Sequence, residues 1–165
     1  MLELPKRKKN RIQDFDYGKV GAYFVTICIE NRKPVLWNMD AVGAATCRPQ
    51  SVALSHLGET IDIAINQIPT HYSNVKVDHY CIMPNHIHMI LSIMPDESGR
   101  QIAAPTISTI IGNMKRWVSM KIGYSIWQKS FYDHIIRDCD DYNVRVKYIH
   151  ENPIRWYYDE LYTKP

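Results

Sequence analysis

A chain of 165 residues, 45% hydrophobic and 22% charged, carries enough apolar side chains for one domain with a complete core and lacks the bias of a disordered or fibrous chain. No run approaches the ~18 apolar residues of a membrane span. The opening MLELPKRKKNR has no apolar stretch of the signal-peptide kind, so a cytoplasmic location is expected. The net charge of +3 is modest but uneven, and Cys28, Cys47, Cys81 and Cys139 are scattered without a CxxC, which reads as reduced thiols and not as a disulfide framework or zinc knuckle.

The first feature along the chain is a basic tail over residues 1–14, followed by a single domain over 15–165. Lys6, Arg7, Lys8, Lys9 and Arg11 crowd together, as suits a phosphate backbone, although a solvated tail has the same composition. AYFVTICIEN (22–31) is β-branched and aromatic and reads as a strand central to its sheet. Residues 38–54 carry Gly, Pro and small residues and read as a loop or short hairpin of open role. Ser55 is a candidate N-cap for a helix with Ile61, Ala64, Ile65 and Ile68 at helical spacing, which Pro69 should end.

Residues 73–95 are too long for one strand. Pro84-Asn85 divides them, and the second strand opens with MPNHIHMIL. A helix is predicted over 106–122, with Thr106 or Ser108 at its start and Gly123 at its end. IWQKSFYDHIIRD reads as a short aromatic strand, and DDYNVRVKYIHEN as a helix stopped by Pro153, with Tyr142, Val146 and Ile149 at core spacing. The order β, α, β, β, α, β, α predicts an α+β domain, an antiparallel sheet with helices on one face.

In a strand, residues i and i+2 share a face, so His86 and His88 project together while Ile87 turns away. Two imidazoles so placed can serve one divalent ion and leave positions open, or can be ordinary hydrogen-bonded histidines. His56, His71, His79, His134 and His150 form no metal-binding spacing. On the last helix Tyr148 and Asn152 stand at i and i+4, offset from the core stripe. Tyr148 can act as an oxygen nucleophile and Asn152 as a neutral oxygen ligand, or the pair can cover a groove and cap the helix.

Together MPNHIHMIL and IWQKSFYDHIIRDCDDYNVRVKYIHENPIRWYYDEL resemble the HUH single-tyrosine transposases, and within them the REP-associated tyrosine transposase (RAYT) group of the IS200-like family, over about residues 15–161. The family's histidine pair falls on His86 and His88, its nucleophile on Tyr148 in YIHENP, and its third polar ligand on Asn152. The resemblance implies HUH endonuclease architecture, a ferredoxin-like sheet carrying the histidines with the tyrosine helix beside it. It implies Mg²⁺ or Mn²⁺ as cofactor and single-stranded or hairpin DNA as partner, handled by a monomer or homodimer. Cleavage would leave a 5′-phosphotyrosine and a free 3′-hydroxyl, and a second 3′-hydroxyl would rejoin the strand without ATP.

Trp127 and Asp133 are expected near the active site or the DNA. Lys115, Arg116 and Lys129 join the basic tail as DNA-binding candidates, and Trp117, Trp127, Tyr132 and Trp156 are either stacking platforms or core. A tyrosine of ordinary acidity, with a pKa near ~10, also needs help in losing its proton. Lys147, His150 and Glu151 are the neighbours available in sequence. Two further readings stand beside the transposase: a domesticated protein that binds structured DNA or RNA without cutting, and a metal-dependent hydrolase of another phosphate ester.

Overall fold

The computed structural model describes residues 20–38, 53–95 and 105–163, so the basic tail and most of the 38–54 loop lie outside it. Four strands form the sheet: β1 (Gly21–Cys28), β2 (Val75–Ile82), β3 (His86–Ile93) and β4 (Tyr132–Ile136). They lie in the order β2-β3-β1-β4, every neighbouring pair antiparallel. The helices are α1 (His56–Asn66), the single turn α2 (Ile68–His71), α3 (Ile107–Ile122) and α4 (Cys139–Glu151). This is the expected ferredoxin-like α+β arrangement, with β1 in the interior of the sheet.

Strand alternation divides the sheet into two unlike faces. Tyr23, Val25 and Ile27 pair in register with Leu91, Met89 and Ile87, and these apolar side chains are fully buried on one face. Tyr80 pairs with Met89 on that same face and donates its hydroxyl to Asp62 of α1 at 2.7 Å, which places α1, with α3 packed on it, over the apolar side. The opposite face presents Phe24, Thr26, Cys28, His86 and His88. α4 covers it, bringing Tyr148 within 6.0 Å of Phe24, ring centre to ring centre. The expectation of helices on one face therefore holds for α1 and α3 and needs correction for α4. The reason lies in β3, whose residues are buried on both sides of the pleat and so require cover from both.

Helix ends follow local chemistry. The Ser55 hydroxyl accepts from the Gly58 amide at 3.1 Å and donates to the Val35 carbonyl at 2.7 Å, so the cap also ties α1 to the segment after β1. α1 ends before Pro69, which instead sits in the first turn of α2, where its missing N–H costs nothing. Thr106 caps α3, and Gly123 closes it with φ of 85°. Asp138 caps α4 by accepting from the Asp141 amide at 2.9 Å, a little ahead of the predicted start. Of the three predicted core positions on α4, Ile149 is buried and Tyr142 and Val146 are partly so. Among the described residues, no helix is long and apolar enough to cross a membrane, and Cys28, Cys81 and Cys139 are free.

Gly58 is required by close approach, since a β-carbon there would stand 2.3 Å from the Leu36 carbonyl oxygen. Gly58→Ala should lower the unfolding free energy by about 1–3 kcal/mol in denaturant titrations. Gly112→Ala, whose added carbon meets nothing within 4 Å on α3, should be neutral or raise stability by up to about 1 kcal/mol. Equal effects of the two changes would contradict the packing described for the cap of α1.

Candidate active site

The interior position of β3 buries both imidazoles, with His86 0% and His88 3% exposed. Their Nε2 atoms face one another at 2.9 Å. Asn85 Oδ1 faces His86 Nδ1 at 2.7 Å, and the Asn85 amide nitrogen donates to the carbonyls of Leu161 at 2.8 Å and Arg32 at 3.2 Å. Those acceptors fix the amide orientation, so His86 must donate through Nδ1 and carry its lone pair on Nε2. His88 Nδ1 meets the Thr26 hydroxyl at 2.9 Å, a partner able to accept the same kind of bond. Phe24 stacks on His88 at 5.3 Å.

Burial pushes the pKa of His86 down to about 3, with the Arg32 charge adding to the effect. Burial does the same to His88, also to about 3, helped by His86 and opposed by Asp159. Both rings are therefore neutral near pH 7, the form that ligates a metal.

Tyr148 stands over this pair, with its ring 5.1 Å from that of His88 and 41% of the residue exposed. Its hydroxyl donates to Asp159 Oδ2 across a long 3.5 Å. Burial foremost, and then the Asp159 charge, raise its pKa to about 12, while the Asn152 side chain works the other way. Asn152 forms the C-cap of α4, its backbone amide bonded to the Tyr148 carbonyl at 2.9 Å. Its side-chain nitrogen is buried with no hydrogen-bond partner among the described residues. Neither Lys147, which pairs with Glu151 at 3.7 Å, nor His150, which packs against His79 at 5.3 Å, hydrogen-bonds the tyrosine.

Asp159 was not legible in advance. It follows the turn Trp156–Tyr158 and reaches the site through the chain that Pro153 redirects, so no helical or strand spacing relates it to the histidines. Its side chain is 1% exposed, with Oδ2 3.8 Å from His86 Nε2. Oδ1 accepts from the Leu161 amide at 2.6 Å, which leaves Oδ2 as the oxygen facing the site.

The donor atoms of His86, His88 and Asp159 all lie within 4.8 Å of one another. The donor set suits a divalent ion. Two neutral nitrogens 2.9 Å apart match adjacent positions of an octahedral ion, which bonds of ~2.1 Å would separate by about 3.0 Å. The carboxylate supplies negative charge, whereas the unpartnered atom of Asn152 is its amide nitrogen, a donor suited to an oxygen acceptor and not to a cation.

Other sequence candidates separate clearly. Lys129 lines a cleft that opens beside Tyr148 and His88. Lys115 instead donates to the carbonyls of Gln128 at 3.1 Å and Ser130 at 2.6 Å, and burial lowers its pKa to about 8. Trp127 is 8% exposed and donates its indole N–H to the Lys115 carbonyl at 3.0 Å, so its ring is packing and not an open stacking platform. Trp156 is likewise buried. Tyr132 is exposed at the cleft, whereas Arg116 and Trp117 border an apolar groove formed with α1. Asp133 pairs with Val25 and so belongs to the face away from Tyr148.

No protein-family model matches the chain. A Haemophilus influenzae protein of uncharacterised function is 30% identical across 95% of this chain and 93% of its own length. A second Haemophilus influenzae protein, provisionally named a REP-associated tyrosine transposase, is 26% identical over 88% of this chain and 77% of its own. A solved REP-associated tyrosine transposase bound to a REP hairpin shares the fold, with a TM-score of 0.60 and 22% identity over 86% of this chain and 72% of that one. The four-stranded antiparallel sheet with its three longer helices is the α+β fold of that solved transposase. The named relative and the solved structure make the chain similar to the REP-associated tyrosine transposases, IS200-like. Its similarities support a transposase-like function.

An unfolded histidine takes up its proton near pH ~6.5, but the folded chain keeps both imidazoles neutral down to about 3. The unfolded state thus binds more protons across that interval, and stability, complete above it, falls as the pH is lowered through it. Denaturant titrations in chelator should show the unfolding free energy declining from about pH 7 towards about pH 4. His88→Gln should flatten that slope, and an unchanged slope would place the acid sensitivity elsewhere.

Proposed function

We propose that the protein is a metal-dependent endonuclease and strand transferase acting on single-stranded DNA at hairpin-associated sites, with Tyr148 as its nucleophile. The observation that carries this reading is the tyrosine hydroxyl held over two neutral imidazoles and a buried carboxylate, at the edge of an open cleft. The phenolic oxygen attacks phosphorus, the bond from phosphorus to the 3′ oxygen breaks, and that oxygen takes a proton to become a 3′-hydroxyl. The product is a 5′-phosphotyrosine. Attack by another 3′-hydroxyl on the same phosphorus releases the phenol and rejoins the strand, so the phosphodiester energy is conserved in the ester.

His86, His88 and Asn152 would hold Mg²⁺ or Mn²⁺, which when bound neutralises charge on the non-bridging phosphate oxygens. Two imidazole nitrogens favour Mn²⁺ over Mg²⁺. With a pKa of about 12, Tyr148 has almost no phenolate near pH 7 and depends on an acceptor. Asp159 Oδ2, which its hydroxyl already faces, takes the proton. With Asp159 Oδ2 engaged by the tyrosine proton, the Asn152 side-chain oxygen would be the third protein ligand to the ion, as the family resemblance implies.

Hairpin DNA as substrate is supported by the solved relative, which is bound to a REP hairpin. The test uses end-labelled hairpin oligonucleotides drawn from the DNA flanking the gene, incubated with Mn²⁺. A denaturant-resistant adduct carrying the 3′ fragment should form, and both Tyr148→Phe and chelation should abolish it. Tight binding with no adduct from any flanking sequence would favour a protein that binds structured DNA without cutting.

A further inference from the structure

The cleft beside Tyr148 and His88 encloses about 720 Å³, and Arg32, Lys129 and Arg145 stand on its walls with one acidic residue, Glu160. Arg145 lies on α4 one turn before Tyr148, so the two share a helix face. Its guanidinium rests 5.2 Å from the centre of the Phe24 ring, the ring that also stacks on His88. Asp141 accepts its Nε at 3.2 Å and is itself held by His134 at 2.7 Å. That contact uses only Nε, and among the described residues the two terminal nitrogens have no hydrogen-bond partner. An arginine anchored in this way presents a preorganised fork to a phosphate.

The backbone gives a second, independent observation. Among the described residues, the non-glycine residues with positive φ are Asn31 at 55°, Arg32 at 52° and Ser130 at 76°. They fall in the two loops that carry Arg32 and Lys129 to the cleft. Each loop is tied down: the Arg32 carbonyl accepts from Asn85 at 3.2 Å and Thr163 at 3.0 Å, and the Ser130 carbonyl from Lys115 at 2.6 Å. Left-handed backbone at such residues persists only where surrounding contacts enforce it, and it concentrates at ligand clamps. Phe131 and the exposed Tyr132 add aromatic surface beside these cations, the combination that takes a single strand by its phosphates and bases together.

We infer that Arg32, Lys129 and Arg145 form a phosphate-binding rim for a single DNA strand, with Arg145 gripping the phosphate presented to Tyr148. The identity of that phosphate rests on the function proposed above, while the rim is tested by binding alone. The experiment is fluorescence anisotropy of a labelled single-stranded hairpin oligonucleotide in chelator, with every protein in the Tyr148→Phe background and across a salt series. Arg145→Gln should weaken binding about tenfold or more, and should lower the slope of log affinity against log salt by about 0.7, the single-strand value for one lost contact. Arg145→Lys should restore the slope but only part of the affinity, a split that a merely structural role would not produce.

The double change Arg32→Gln with Lys129→Gln should lower the slope by about 1.4, and Lys121→Gln on α3 should leave binding as it was. Wild-type affinity and slope in Arg145→Gln and in the double variant would overturn the rim. Rim-dependent binding together with a failure of the wild-type chain to form an adduct would remove the cleavage reading and keep the rim.

Discussion

Two imidazoles projecting from one face of an interior strand set the terms for the rest of this molecule. The pleat of β3 sends His86 and His88 to the same side, and the cover of α4 removes them from water, so neither carries charge near pH 7. Neutral rings must still place their polar nitrogens. Asn85 and Thr26 satisfy the Nδ1 atoms, and the Nε2 atoms are left facing each other at 2.9 Å, with either a shared proton or a cation between them. Asn85 extends the constraint outward, because its amide nitrogen also holds the carbonyls of Arg32 and Leu161. One side chain thereby links the histidine strand, a cationic loop and the chain segment that carries Asp159.

The resulting site is layered by charge. Its floor is neutral nitrogen with one buried carboxylate, and its rim is cationic. Tyr148 lies between them with its proton held tightly, since burial and the neighbouring carboxylate both disfavour the phenolate. Cys28 and Cys81 lie on the same face, and burial raises both thiols, Cys81 to about 12, so no thiolate competes with the tyrosine. In the reaction proposed above, the same buried carboxylate that raises the tyrosine's pKa would also be the group that relieves it of its proton.

Much of this was readable from the chain because it depends on short-range rules. The HIH spacing needs only strand alternation, Ser55, Thr106 and Gly123 act on their own helix ends, and Pro84-Asn85 divides a run too long for one strand. Tyr148 and Asn152 were set apart by helical phase, and their expected roles came from family resemblance alone. What escaped was long-range. Asp159 reaches His86 through an irregular turn, Arg145 is defined by a ring on β1, and Arg32 by a backbone conformation that its side chain does not advertise. Trp127 and Trp156 look alike to any sequence rule for stacking residues, yet both are packed into the core. The one-face arrangement failed for α4 because an apolar stripe does not reveal which side of a sheet it will meet.

The central claim is that the paired imidazoles form one half of a divalent-ion site beneath Tyr148. Anomalous diffraction from crystals of the wild-type chain equilibrated with Mn²⁺ tests it most directly. The account predicts a single strong peak within bonding distance of both His86 Nε2 and His88 Nε2, on the side facing Tyr148 and Asn152. Ordered crystals at saturating Mn²⁺ with the two nitrogens still in direct contact, and no peak beside them, would contradict it.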